Sequence, residues 1–302
     1  MVDRIRKALD MARSERARGG NEARSATVSE AVVIDRPWPT ARAAKAERVE
    51  AAEPIRANPD SKPAANAPPA EITYTRTHVF APAADILERN RVLNPSSADP
   101  AAVAFRMLRT QVLQRMDANG WRTLAVFSPS AKDGKTTTAI NLAISLASDR
   151  LHTVLLVDFD FLHPSVAPRL GLVPELGGDD AMSGQARVEE CLYHPEGFDR
   201  LVIMPARATL DNSSEMLAGP RSRAIVAELR ARYPERIVVF DLPPVLAADD
   251  ALAFAPLVEC GLVVASEGRT RRKDLVRTIE LLHKTPLVGT ALNRAADSPA
   301  GY

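Results

Sequence analysis

Cysteine is scarce: 302 residues hold two, Cys191 and Cys260, in separate segments without metal-ligand spacing. That excludes a disulfide framework and a cysteine-built zinc site, and it reads as reduced core thiols of a cytosolic protein. No apolar run approaches the ~20 residues that span a bilayer, and the charged start has no long apolar stretch behind it, so no secretory signal is predicted. Neither charge sign is in excess. The 39 Lys and Arg face 38 Asp and Glu, a formal net charge of +1. A global field that gathers nucleic acid or acidic lipid is thereby excluded. The five histidines are scattered and form no metal pair. On this reading any membrane association is peripheral and runs through a partner or an amphipathic surface.

What is present suits a soluble protein with a real core: 46% hydrophobic and 25% charged residues. Residues 1–16 space Val2, Ile5, Leu9 and Ala12 at helical intervals among basic residues, which predicts a short amphipathic basic helix. Residues 17–70 are rich in Ala, Pro, Arg and Glu and too poor in large apolar side chains to offset their ordering entropy. They are expected to be a disordered linker. Residues 71–118 bring a strand-like alternation over Glu71 to Val79, then a helix over Ala101 to Met116. Residues 119–295 form the main domain, and 296–302 are a flexible tail ending in its one tyrosine, Tyr302.

Within the main domain, apolar runs alternate with helical stretches. Strands are expected at Thr123–Phe127, Val154–Val157, Leu201–Met204, Ile237–Phe240, Gly261–Ala265 and Leu287–Leu292. Helices are expected at Gly134–Ser148, Pro220–Arg232 and Arg271–Lys284. This alternation predicts an α/β fold, a mostly parallel sheet covered by helices on both faces. Ligands of such sheets sit beyond the carboxyl ends of the strands.

The residues with chemistry fall at those ends. Ser128-Pro-Ser-Ala-Lys-Asp-Gly134-Lys135-Thr136-Thr-Thr follows a strand and opens a helix. There backbone N–H groups and the helix N-terminus can point at a phosphate. Ser130, Ala131, Lys132, Asp133, Gly134, Lys135, Thr136 and Thr137 are the expected ATP cradle. Lys135 reaches the β and γ phosphates, and the Thr136 hydroxyl holds Mg²⁺. Pro129 stands where the general pattern begins with Gly. Asp158 and Asp160 end one apolar strand and Asp241 ends another, before the stiff Pro243-Pro244 turn. A lone Asp at a strand end is usually a helix cap, but two such ends beside Gly134-Lys135-Thr136 point to hard oxygen ligands for Mg²⁺. Thr136, Asp158, Asp160 and Asp241 are the expected metal ligands. Asp158 is also the choice for the base that receives a hydroxyl proton. Asn212-Ser-Ser-Glu215 reads as a helix N-cap with its reciprocal Glu.

Taken together these motifs resemble the bacterial P-loop tyrosine autokinases of capsule and exopolysaccharide loci, related to MinD/ParA-type ATPases. The resemblance also covers Leu87-Glu-Arg-Asn-Arg-Val, Phe105-Arg-Met-Leu-Arg-Thr-Gln-Val-Leu-Gln, Asn141-Leu-Ala-Ile-Ser-Leu-Ala, Asn212-Ser-Ser-Glu215-Met-Leu, Asp241-Leu-Pro-Pro-Val-Leu and Leu292-Asn293-Arg294. The loop, the Asp158-Phe-Asp160 strand and the Asp241 strand correspond to the family's Walker A, A′ and B motifs. The resemblance implies P-loop NTPase architecture and Mg-ATP-dependent autophosphorylation on a C-terminal tyrosine, here Tyr302. It implies a transmembrane chain-length-regulating partner, and so a cytoplasmic protein peripheral to the inner membrane. It places Asn293 against adenine, and Arg106 and Arg109 at contacts of a homo-oligomer. Three departures stand out: Leu162 replaces the Walker A′ arginine, Val103 replaces a glutamate of the self-association helix, and the tail has a single tyrosine. Two other readings stay open, a MinD/ParA-like ATPase switch without kinase activity and a nucleotide-binding scaffold. The switch class carries a signature lysine early in its loop, where Ser130 stands.

Overall fold

Nine short strands line up in one sheet in the computed structural model, which describes residues 32–33, 77–149, 151–232 and 235–295. The strands are β1 (Val32–Val33), β2 (His78–Phe80), β3 (Thr123–Phe127), β4 (Thr153–Asp158), β5 (Tyr193–Pro195), β6 (Leu201–Met204), β7 (Arg236–Asp241), β8 (Cys260–Ser266) and β9 (Leu287–Asn293). Their order is β1-β9-β8-β3-β7-β4-β6-β5-β2. Neighbours run parallel except β1 with β9 and β5 with β6. The described helices are α1 (Ala84–Arg89), α2 (Pro100–Asn119), α3 (Lys135–Ala147), α4 (Val166–Leu170), α5 (Gly178–Ser183), α6 (Ser213–Ala218), α7 (Pro220–Arg232), α8 (Asp250–Phe254) and α9 (Arg272–Leu281).

The central strands β3, β7 and β8 are buried throughout because helices cover both faces. Side chains alternate between two cores. Leu124, Val126, Val154, Leu156, Ile237 and Val239 join Phe105, Leu108, Val112 and Met116 of α2 and the apolar face of α3. Ala125, Phe127, Leu155, Val157, Val238 and Phe240 join Ile225 and Leu229 of α7 and Phe254 of α8. By the same alternation Asp158 and Asp241 point to the α3 side. Phe159, between the two acids of Asp158-Phe-Asp160, goes to the other core, with ring centroids 5.2, 5.6 and 5.4 Å from Phe161, Phe240 and Phe254. Such pairs add about 0.5–1.5 kcal/mol each beyond burial, so the acidic strand end rests on a rigid floor.

Helix α2 begins one residue before the expected position. Asp99 Oδ1 accepts the Ala101 N–H at 2.8 Å, Pro100 supplies the first position, and Gly120 closes the helix at φ 68°. Helix α9 stops at Leu281, short of the expected Lys284, because the chain turns to let Thr285 Oγ1 donate to the Ala255 carbonyl at 3.1 Å. Asn141 of α3 ties in the preceding segment. Its Nδ2 donates to the Arg91 carbonyl at 2.9 Å and its Oδ1 accepts the Leu93 N–H at 2.8 Å.

Two expectations need correction here. Val32 and Val33, inside the stretch read as linker, form β1 against Ala291 and Leu292 of β9. Two adjacent β-branched residues meet the open backbone edge of β9, a long-range pairing that local composition does not encode. Asn212 precedes α6, but its side chain makes no cap bond. Its neighbour Ser213 instead donates its hydroxyl to Asp250 Oδ1, and both side chains are buried. The helix expected over 1–16, the rest of 17–70 and the tail at 296–302 lie outside the described residues. Among the described residues no helix is long and apolar enough to cross a membrane.

Candidate active site

The site forms where β3 hands the chain to α3. The turn after β7 anchors the root of this loop: Val245 N–H donates to the Ser128 carbonyl at 2.9 Å and Leu246 N–H to the Pro129 carbonyl at 3.2 Å. Asp133 Oδ2 accepts the Ser130 N–H at 2.9 Å and folds the loop on itself. Lys132 and Gly134 take left-handed backbone angles, φ 67° and 96°. Ser130, Ala131 and Lys132 are exposed at the crest, Thr137 is half-buried, and Asp133, Lys135 and Thr136 are buried. Asn293, last residue of β9, lies across the loop and donates Nδ2 to the Asp133 carbonyl at 3.0 Å. A Cβ at Gly134 would come 1.7 Å from that nitrogen, so glycine is what makes room for it.

Lys135 reaches back over the strand ends. Its Nζ lies 2.6 Å from Asp241 Oδ1, 3.3 Å from Asp160 Oδ2 and 3.3 Å from Thr136 Oγ1. Burial opposes the ammonium charge, but the charges of Asp241, Asp160 and Asp158 outweigh it and raise the Lys135 pKa. Asp241 is pushed up by burial against the pull of Lys135. Its Oδ2 is buried without a hydrogen-bond partner. Asp158 is fully buried, and burial followed by the charge of Asp241 pushes its carboxyl up to about 7. Its Oδ2 accepts the N–H groups of Ser165 and Val166 at 3.0 and 2.9 Å, and its Oδ1 takes a longer bond from Asp160 N–H at 3.2 Å. Asp158 thus caps α4.

This refines the acidic set. With its Oδ2 committed to α4, Asp158 has Oδ1 as the oxygen left for a ligand. Asp160 and Asp241, with the Thr136 hydroxyl, lie beside it around Lys135. The buried set holds three carboxylates against one ammonium and leaves Asp241 Oδ2 unsatisfied, a donor set that fits a hard divalent cation. Among the described residues no group of three His, Cys, Asp or Glu is placed to cage a metal. Mg²⁺ takes one or two carboxylates and keeps waters and phosphate oxygens for the rest.

Other expected site residues sit apart. Arg106 donates to the carbonyls of Pro95 and Ser97, each at 2.8 Å, and Arg109 donates to the Ser145 carbonyl at 3.2 Å. Both guanidinium groups are therefore engaged within the chain. Tyr302 lies outside the described residues. Two residues that the sequence reading passed over join the site. Ser165 Oγ lies 3.2 Å from Thr136 Oγ1, and Arg169 NH1 lies 3.1 Å from Thr137 Oγ1. Helix α4 has only five residues, so it leaves no periodicity to read. The sequence sign available was the i, i+4 spacing of Ser165 and Arg169 just after the acidic strand.

No family model matches the chain. It is 30% identical over 210 residues to the succinoglycan biosynthesis transport protein ExoP of Rhizobium meliloti (strain 1021), a match that covers 67% of this chain but 25% of ExoP. It is 24% identical over 209 residues to the tyrosine-protein kinase YwqD of Bacillus subtilis (strain 168), covering 68% of this chain and 86% of YwqD. The kinase domain of the Escherichia coli tyrosine kinase ETK superposes with a TM-score of 0.60 at 26% identity, covering 68% of this chain and 82% of that domain. These likenesses support the bacterial P-loop tyrosine-kinase family of capsule and exopolysaccharide loci. Arg169 and the Asn293 contact with Asp133 are read from this chain alone.

Proposed function

We propose that this chain is a Mg-ATP-dependent protein tyrosine autokinase that regulates capsule or exopolysaccharide polymerisation or export. In this reading it works on the cytoplasmic face of the inner membrane, peripherally, with a transmembrane chain-length-regulating partner. The observation that carries the reading is Lys135, held at the head of α3 between Asp241 and Asp160 at 2.6 and 3.3 Å. A lysine so placed is charged, oriented and adjacent to the helix N-terminus that would receive phosphates.

The loop N–H groups and Lys135 bind and orient the phosphates, which excludes water and aligns the terminal group for in-line attack. Thr136, Asp160 and Asp241 would hold Mg²⁺, which would supply charge neutralisation at the phosphates. Asp158 is the proton acceptor. Its pKa near 7 suits a base at neutral pH. Because Oδ2 is fixed by the α4 N–H groups, Oδ1 is the oxygen left for the tyrosine hydroxyl. Asn293 contacts adenine in this reading, which requires its amide to leave Asp133. Tyr302 receives the phosphoryl group.

The deciding experiment is mass spectrometry of Tyr302 from protein recovered from its own cells, wild type against Lys135→Met as the sole copy. Phosphate on the wild type and none on the variant is expected. One observation favours a second reading: Leu162, standing where the kinases carry an arginine, suits an ATPase switch better than a kinase. Mg-dependent ATP hydrolysis without phosphate on any tyrosine, at full peptide coverage, would establish that reading instead.

A further inference from the structure

We propose that Arg169 binds nucleotide phosphate, meeting the α-phosphate of bound Mg-ADP or Mg-ATP; this rests on the nucleotide-site reading above. Arg169 NH1 donates to Thr137 Oγ1 at 3.1 Å, and its Nε is buried with no hydrogen-bond partner. Among the described residues it makes no ion pair with a carboxylate. A guanidinium carries five N–H donors and cannot discard its charge. A half-buried one whose acceptor is a neutral hydroxyl has unspent capacity for an anion.

The position of Arg169 is not incidental. Asp158 Oδ2 fixes the first N–H groups of α4, and Ser165 Oγ rests 3.2 Å from Thr136 Oγ1. One helical turn later Arg169 therefore falls beside Thr137, the residue after Thr136 on α3. Lys135 and Thr136 address the β and γ phosphates and the metal, while the loop and first helical turn cradle the α and β phosphates. Thr137 lies on the α side of that progression. The charge balance agrees: the buried set has three carboxylates and Lys135 as its one cation, so polyphosphate bound here needs positive charge from a flank.

The test is a fluorescence titration of full-length protein with N-methylanthraniloyl ADP and ATP in Mg²⁺, comparing wild type, Arg169→Gln and Arg169→Lys. Glutamine keeps a donor for Thr137 without the charge. Arg169→Gln is expected to weaken both nucleotides equally, by about ten- to a hundredfold, the range of one charge-assisted hydrogen bond. Arg169→Lys should recover part of that loss, and the thermal midpoint of nucleotide-free protein should not move. Affinity of Arg169→Gln within twofold of wild type overturns the proposal, and weakening of ATP alone overturns the α-phosphate placement. A lowered nucleotide-free midpoint with no charge-dependent recovery by lysine assigns Arg169 a merely structural role and also overturns it. Wild type that binds neither nucleotide sinks the site reading itself, an outcome distinct from wild type and glutamine variant binding alike.

Discussion

Gly134→Ala adds one methyl at the most crowded point of the phosphate loop. Two costs follow. Alanine at φ 96° sits in the left-handed region, a strain of about 1–2 kcal/mol. The new Cβ would also lie 1.7 Å from Asn293 Nδ2 and 2.9 Å from its Cγ, so the amide must swing away. That breaks its 3.0 Å bond to the Asp133 carbonyl, worth about 1 kcal/mol net. The sum is about 2–3 kcal/mol, measurable by urea unfolding of the nucleotide-free protein. The two parts separate in a double-mutant cycle. In an Asn293→Ala background the clash and the lost bond vanish and only backbone strain remains, so coupling of about 1 kcal/mol is expected. An equal cost in both backgrounds would refute the packing argument. A total below about 0.5 kcal/mol would refute the strain argument as well.

Asp158→Asn leaves one acceptor oxygen for three backbone N–H groups, so denaturant unfolding should show a loss of about 1–3 kcal/mol. The loss should also depend on pH. Wild-type Asp158 rises from an ordinary 3.8 to about 7 in the fold, so the native state holds that proton more tightly than the unfolded chain. Its contribution is present below the unfolded value and is lost as pH climbs toward 7, by at most about 1.4 kcal/mol per pH unit. The deficit of Asp158→Asn should therefore narrow across that window, and a constant deficit would contradict the assigned shift. Ser213→Ala strips a buried hydroxyl from Asp250 and should cost about 1–3 kcal/mol. Asn212→Ala, which removes no cap bond, should cost under about 0.5 kcal/mol in the same assay.

The central sheet and phosphate loop were readable because their signals are local. Thr123–Phe127 and Leu201–Met204 are unbroken apolar runs of strand length, and Gly134-Lys135-Thr136 stands at a strand-to-helix junction. Side-chain reach was not readable. Asp158 shares the look of Asp160 and Asp241, yet it caps a five-residue helix that only the folded chain brings to it. Arg106 matched a contact pattern between copies, while its guanidinium holds the 95–97 segment of its own chain. Asn293 lies 160 residues from the carbonyl it grips, and Val32–Val33 met a strand about as remote as the chain allows. Each of these is a tertiary contact that periodicity does not encode.

Asp158 faces Asp241 across adjacent strands in direct register. Chain length is therefore as much a specification of the site as residue identity. Loss of one residue inside β7 would slide Asp241 into the place of Phe240, among the aromatic rings of the opposite core, and present Leu242 to Lys135. The same deletion before Arg236 would leave that pairing untouched. Insertions and deletions should thus be tolerated at the amino-terminal rim of the sheet and excluded between there and the loop, even where point substitutions of the apolar strand residues are accepted.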